Sequence, residues 1–121
     1  MSDQKPRIAF IGTGGTISFE GRNSLDLSEY MDFGTQITVS EILDHFPEVG
    51  QTADMVPFDF KVVESTDLNP NDWRELAAKV HEVDQNSDAI DGIVITHGTA
   101  SLEETAYFLH LTVKTDLPVV V

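Results

Sequence analysis

Short apolar runs recur along the chain, each ending at a turn marked by glycine or proline and giving way to apolar positions at helical spacing. Ile8-Ala9-Phe10-Ile11 has the continuous character of a strand buried on both faces. The glycine turn Gly12-Thr13-Gly14-Gly15 follows it. Residues 18–37 then mix Gly21, Asn23, Ser24, Asp26, Ser28 and Gly34 with single aromatics. Such a stretch predicts a long connection of the kind that forms lids or binding loops. Thr38-Val39-Ser40-Glu41 has capping-box spacing and predicts a short helix through Ile42, Leu43 and Phe46, stopped by Pro47. Phe58 to Val63 predicts a second strand, with Phe58, Phe60 and Val62 on one face and Asp59 and Lys61 on the other. Asn69-Pro70 predicts a helix start, and Trp73, Leu76, Ala77, Val80 and Val83 repeat at the helical period as its core face. Asp84 to Asp88 read as a polar loop before a strand from Ile90 to Ile95. Ser101-Leu102-Glu103-Glu104 again fits a capping box, with a helix continuing through Ala106, Phe108 and Leu109. Leu117-Pro118-Val119-Val120-Val121 opens a further parallel strand.

This β–α rhythm predicts an α/β fold, a mostly parallel sheet flanked by helices. The last strand has no continuation within the chain. Residues 1–121 are therefore expected to form the amino-terminal portion of a larger, here incomplete, α/β domain.

Composition narrows the function. The net charge is −14, from 21 acidic against 7 basic residues. Such a field repels phosphate backbones and anionic bilayers, so neither nucleic acid nor membrane is expected as a partner. No run of 18 apolar residues offers a membrane span. The absence of cysteine excludes disulfides and thiolate chemistry. The start of the chain lacks the apolar stretch of a secretory signal, and the cytoplasm is the expected address.

The candidate chemistry lies on two threonines, each on a turn after an apolar strand. In a parallel sheet the carboxyl ends of the strands share one edge, and ligands bind in the crevice there. Thr16 ends the first turn and Thr99 stands in the turn after Ile93-Val94-Ile95, so the two hydroxyls are expected to converge. Gly12-Thr13-Gly14-Gly15-Thr16 lacks the spacing of a dinucleotide fingerprint and the lysine of a P-loop. It reads either as a plain tight turn or as one where glycine admits a ligand close to the backbone. Thr99 reads alternatively as a helix cap. His97 reads as a hydrogen-bonded structural residue rather than a base. His45, His81 and His110 show no metal spacing, so no metal or other cofactor is expected.

Three stretches together resemble the asparaginase family of bacterial threonine amidohydrolases. They are Thr13-Gly14-Gly15-Thr16-Ile17, then Ser65-Thr66-Asp67-Leu68-Asn69, then Ile95-Thr96-His97-Gly98-Thr99 with Glu103-Glu104-Thr105-Ala106-Tyr107-Phe108-Leu109. The likeness runs over essentially the whole chain. It implies hydrolysis of a small-molecule amide without a cofactor, by a larger protein with a second, carboxy-terminal domain outside this chain. It also implies a homo-oligomer built as a dimer of dimers. By position, Thr16 matches the family's nucleophile and Thr99 its second catalytic threonine. Tyr30 matches the tyrosine of the mobile loop. Ser65 matches the serine that holds the substrate's carboxylate, and Thr66 a further polar contact. Gly15 and Gly98 complete the substrate-binding turns. The lysine of the family's Thr-Asp-Lys group falls beyond residue 121.

One departure bears on the substrate. The family's His-Gly-Thr-Asp-Thr reads here His97-Gly98-Thr99-Ala100-Ser101. That aspartate links threonine to lysine and pairs with the substrate's ammonium; Ala100 does neither. Leaving a buried charge without its partner costs about 3–5 kcal/mol. Asparagine is thus expected to bind poorly unless another carboxylate compensates, and an amide lacking the α-amino group becomes a candidate substrate. The competing expectation is a non-catalytic relative that senses a small carboxylate or amide. A transfer-RNA-dependent amidotransferase module fits the acidic charge badly.

Overall fold

The structure is a computed structural model that describes residues 4–86 and 89–121. Its centre is a four-stranded sheet in the order β4-β1-β5-β6, formed by β1 (Arg7–Gly14), β4 (Asp54–Val63), β5 (Gly92–Thr96) and β6 (Val119–Val120). All three pairings are parallel. Each crossover carries helix: α2 (Val39–His45) between β1 and β4, α3 (Pro70–Asn86) between β4 and β5, and α4 (Leu102–Thr112) between β5 and β6. The expected α/β fold is the observed one.

Covering both faces of β1 explains its unbroken apolar run. Ala9 and Ile11 join Leu76, Ala77, Val80 and Val83 of α3 and Leu109 of α4 in one buried cluster. Fully burying each larger aliphatic side chain contributes about 1.5–3 kcal/mol. Trp73 and Phe108 tie α3 to α4 with ring centroids 5.7 Å apart. Gly12 lies against α2, where an added Cβ would stand 2.5 Å from Val39 Cγ1. The capping box of α2 forms as the spacing predicts, with Thr38 Oγ1 accepting from Glu41 N–H and the Glu41 carboxylate accepting from Thr38 N–H at 2.8 Å.

Four details depart from the sequence reading. The connection 18–37 folds on itself: β2 (Phe19–Glu20) pairs antiparallel with β3 (Thr35–Gln36), and the short helix α1 (Tyr30–Phe33) lies between them. Strand β4 starts at Asp54 and carries Pro57 inside it, which an edge strand tolerates because one row of its N–H groups has no ladder partner. Helix α3 runs on to Asn86, so the expected polar loop is mostly helix; its Ser87 and Asp88 lie outside the described residues. The register between β1 and β4 also shifts, Gly12 facing Asp59 but Gly14 facing Val63. A bulge of this kind breaks the simple alternation of faces. Phe58 and Phe60 pack on the core as expected, whereas Val62 is exposed.

Lys61 reaches α3 and donates to the largely buried Asp72 carboxylate, with Glu75 at 3.3 Å. Asp72 also accepts from the Asn69 backbone N–H at 2.9 Å, closing the first turn of α3. The hydrogen bond from Lys61, then that from Asn69, holds the Asp72 carboxyl below the ordinary carboxylate range. A carboxyl that titrates lower folded than unfolded contributes stability that is complete above its unfolded value and lost as pH falls through the folded one. Asp72→Asn is therefore expected to destabilise the protein at neutral pH, and the difference from the parent should shrink steadily below about pH 4. Urea denaturation of both proteins between pH 7 and pH 3, taken as about the useful range, checks this.

Candidate active site

Three adjacent strands, β4, β1 and β5, each end at the same edge in a tight helical turn: Ser65–Asp67, Thr16–Ser18 and Thr99–Ser101. Thr16 leaves the central strand, with the Ser65 turn on one flank and the Thr99 turn on the other. The convergence expected of the two threonines is present, and a third turn joins it.

Close backbone contact locks these turns together. Gly15 has φ 80° and ψ −178°, a conformation reserved almost wholly for glycine. A Cβ there would lie 2.5 Å from both Cα and N of Gly98. A Cβ on Gly98 would in turn lie 2.7 Å from Ser65 Oγ. The Gly15 N–H donates to the Val63 carbonyl at 2.8 Å, and Ser101 Oγ donates to the Ser65 carbonyl at 2.6 Å. Ser101 does stand at the start of α4, but its hydroxyl makes no cap. It spans two turns instead, which corrects the second capping box. Across the strands beneath, Thr13 Oγ1 donates to the Thr96 carbonyl at 2.8 Å.

His97 has the structural role expected of it. Its Nδ1 lies 2.7 Å from the Gly98 carbonyl, which only accepts, so Nδ1 carries the proton. Nε2 then accepts from the Thr105 hydroxyl at 2.8 Å, and Thr105 Oγ1 accepts from Trp73 Nε1–H at 3.0 Å. This relay fixes the Gly98 carbonyl from the core side and leaves the imidazole no free nitrogen for the crevice. Thr105→Val keeps the shape but strands His97 Nε2 and Trp73 Nε1. Two orphaned groups at about 1–2 kcal/mol each predict a loss of about 2–4 kcal/mol in chemical denaturation. A loss below about 0.5 kcal/mol would contradict the relay.

A cavity of about 100 Å³ opens between the turns, lined by Gly15, Thr16, Phe19, Met31, Glu64, Ser65, Thr66, Thr99 and Ala100. It thus gathers Thr16, Thr99, Ser65, Thr66, Gly15 and Ala100 from the sequence reading. Gly98 packs behind it between Gly15 and Ser65. Tyr30 does not line it; the segment 18–37 contributes Phe19 and Met31 instead. Tyr30 begins α1 and is half-buried. Sequence reasoning missed Glu64, whose signal was its place directly before the Ser65 turn. A larger open depression of about 870 Å³, lined by Arg7, Asp54 and Asp91 among others, lies at the amino ends of the strands. Ligands of parallel sheets bind at the other edge. Among the described residues no group of three or more His, Asp or Glu side chains is placed to hold a metal ion.

A parallel sheet with hydroxyls gathered on three carboxyl-edge turns defines an α/β domain suited to small polar ligands. Residues 7–121 match the family described as Asparaginase, N-terminal, and the chain belongs to that amidohydrolase family. It is 40% identical over 115 residues to L-asparaginase 2 of Escherichia coli, covering 95% of this chain and 31% of that protein. With L-asparaginase 2 of Bacillus subtilis it shares 38% over 116 residues, covering 96% of this chain and 30% of the relative. Glutaminase-asparaginase of Pseudomonas fluorescens biotype A is 35% identical over 114 residues, 94% of this chain and 31% of that one. The crystal structure of a probable cytoplasmic L-asparaginase from Campylobacter jejuni superposes with a TM-score of 0.79 at 36% identity, covering 95% of this chain and 33% of that one. The chain therefore spans about a third of the length of these relatives.

Proposed function

We propose that this chain supplies the threonine-bearing part of a site that hydrolyses a small side-chain amide to a carboxylate and ammonia. The observation that carries this reading is the cavity that brings Thr16 and Thr99, from two strand ends, together with Ser65 from a third. Thr16 Oγ attacks the amide carbon, forming an ester as the carbon–nitrogen bond breaks; its hydroxyl proton leaves with the ammonia. Water then hydrolyses the ester and restores the hydroxyl. Ser65 and Thr66 bind the substrate's carboxylate end. Backbone N–H groups near Gly98 receive the developing oxyanion. Tyr30 belongs to this proposal as a residue that reaches the site when the 18–37 segment closes over ligand.

Ala100 leaves the Thr99 turn without an anion, which admits two kinds of substrate. One is a dicarboxylic monoamide without an α-amino group. The other is an amide whose ammonium meets a carboxylate from elsewhere. Ala100 also favours a second reading, a non-catalytic relative that senses the same ligands. The full-length protein is proposed to carry the carboxy-terminal domain, to assemble as a dimer of dimers, and to reside in the cytoplasm. The cytoplasmic description of the Campylobacter relative supports that address, whereas a Haemophilus influenzae relative is described as a probable periplasmic L-asparaginase. Ammonia release by the full-length protein across amides with and without α-amino groups tests the enzymatic reading. Turnover of any of them supports it. Binding of these amides with no ammonia released would support the sensor.

A further inference from the structure

The segment 18–37 holds four carboxylates, Glu20, Asp26, Glu29 and Asp32, and one cation, Arg22. That cation serves three groups at once. Its Nε donates to Asp26 Oδ2 at 3.3 Å and its Nη2 to Glu29 Oε2 at 2.7 Å, while the guanidinium carbon lies 4.9 Å from the centroid of the Phe33 ring. Asp26, whose side chain is 4% exposed, completes the knot by accepting from the backbone N–H groups of Arg22 at 3.3 Å and Glu29 at 3.0 Å. Glu29 is the residue before α1 and Phe33 the last residue in it. One side chain therefore grips both ends of that helix.

Little else holds α1. Its four residues fall far below the roughly 12–15 at which an isolated helix becomes even marginal, and none of them is buried. Yet α1 carries Met31, which lines the cavity together with Phe19 of β2. Thr16, Thr99 and Ser65 stand on turns fixed by the sheet, whereas Met31 depends on the knot around Arg22. We infer that Arg22 is a positioning residue of the site: it does not line the cavity, and it acts by holding α1, and with it the Met31 wall, in place. A guanidinium suits this role because its planar fork spans two carboxylates while its face stacks on an aromatic ring; an ammonium has neither fork nor plane. The inference rests on the amidohydrolase reading and adds to it a residue outside the cavity.

The test compares the full-length parent, Arg22→Met and Arg22→Lys by two measurements. The first is hydrogen exchange at the amides of Asp32, Phe33 and Gly34, which donate to the Glu29 and Tyr30 carbonyls. The second is kcat/KM for the amide that the parent turns over best. Arg22→Met is expected to speed that exchange about tenfold, the worth of two such ion pairs and a cation–π contact together. The amide of Ile93, bonded to the Pro118 carbonyl in the sheet, should stay as slow as in the parent. The same variant should lower kcat/KM about tenfold. Arg22→Lys keeps the charge and should recover only part of each loss. Unchanged exchange in Arg22→Met, or an equal rise at Ile93, would overturn the clamp. Faster exchange with unchanged kcat/KM would overturn its positioning of the site. Full recovery by lysine would overturn it too, since charge alone would then suffice. A parent that turns over no amide refutes hydrolysis but leaves the clamp to be judged. Calorimetric affinity for L-asparagine then replaces kcat/KM, with about tenfold weaker binding expected in Arg22→Met and equal or absent binding overturning the positioning role.

Discussion

Thr16→Ala in the full-length protein is expected to lower amide turnover by about 10⁴- to 10⁶-fold from the parent rate, the scale on which removing a nucleophile acts. The residue leaves the central strand of the sheet, faces the cavity and is exposed there. Its hydroxyl makes no fold-stabilising hydrogen bond among those described, so the variant should keep its stability to within about 0.5 kcal/mol. A large kinetic loss in an equally stable protein separates chemistry from folding. Ammonia release and thermal denaturation of the same preparations provide the check. Near-parental turnover in folded Thr16→Ala would remove the nucleophile assignment.

Gly15→Ala is expected to give the largest structural effect, because two independent costs coincide at one position. Its backbone, at φ 80° and ψ −178°, is one that a residue with a Cβ occupies only under strain of about 1–3 kcal/mol. The added methyl group would also sit 2.5 Å from the backbone of Gly98, which has no flexible side chain to yield. Forcing the turns apart adds about 1–3 kcal/mol. The sum predicts a loss of about 2–6 kcal/mol, with activity falling further than stability because Thr16 is the next residue. Denaturant midpoints and kcat of the variant measure both. Gly50→Ala is the control, since nothing lies within 4 Å of a Cβ there.

Much of the frame was legible because both faces of the central strand are covered and each helix carries one apolar stripe. The continuous run at Ile8 to Ile11 suits a strand buried on both faces, and the period of Trp73, Leu76, Ala77, Val80 and Val83 suits a helix packed along one side. The hairpin inside 18–37 was not legible. Its strands have two residues each and no alternating pattern to declare them. Lys61 was expected on the face opposite the core phenylalanines, and a register shift set by tertiary pairing brought it to α3 instead. At the site, the glycines and hydroxyls stood out because their local sequences are distinctive. Ser101 misled because a serine three residues before a glutamate fits a cap, whereas the neighbouring Ser65 carbonyl at 2.6 Å takes its hydroxyl. Glu64 was overlooked for a similar reason. Its one local signal was its place before the Ser65 turn, and the cavity it lines is assembled by tertiary contacts between separate strand ends.

The central claim, that Thr16 is the group acylated by the amide, is tested most directly by trapping the ester. The full-length protein would be mixed with substrate, quenched in acid within the first turnover, digested and examined by mass spectrometry. The account predicts an acyl adduct on the peptide containing Thr16, fixed to that side chain by fragmentation and absent from Thr16→Ala. An adduct located on Thr99 or elsewhere, with Thr16 unmodified during active turnover, would contradict it.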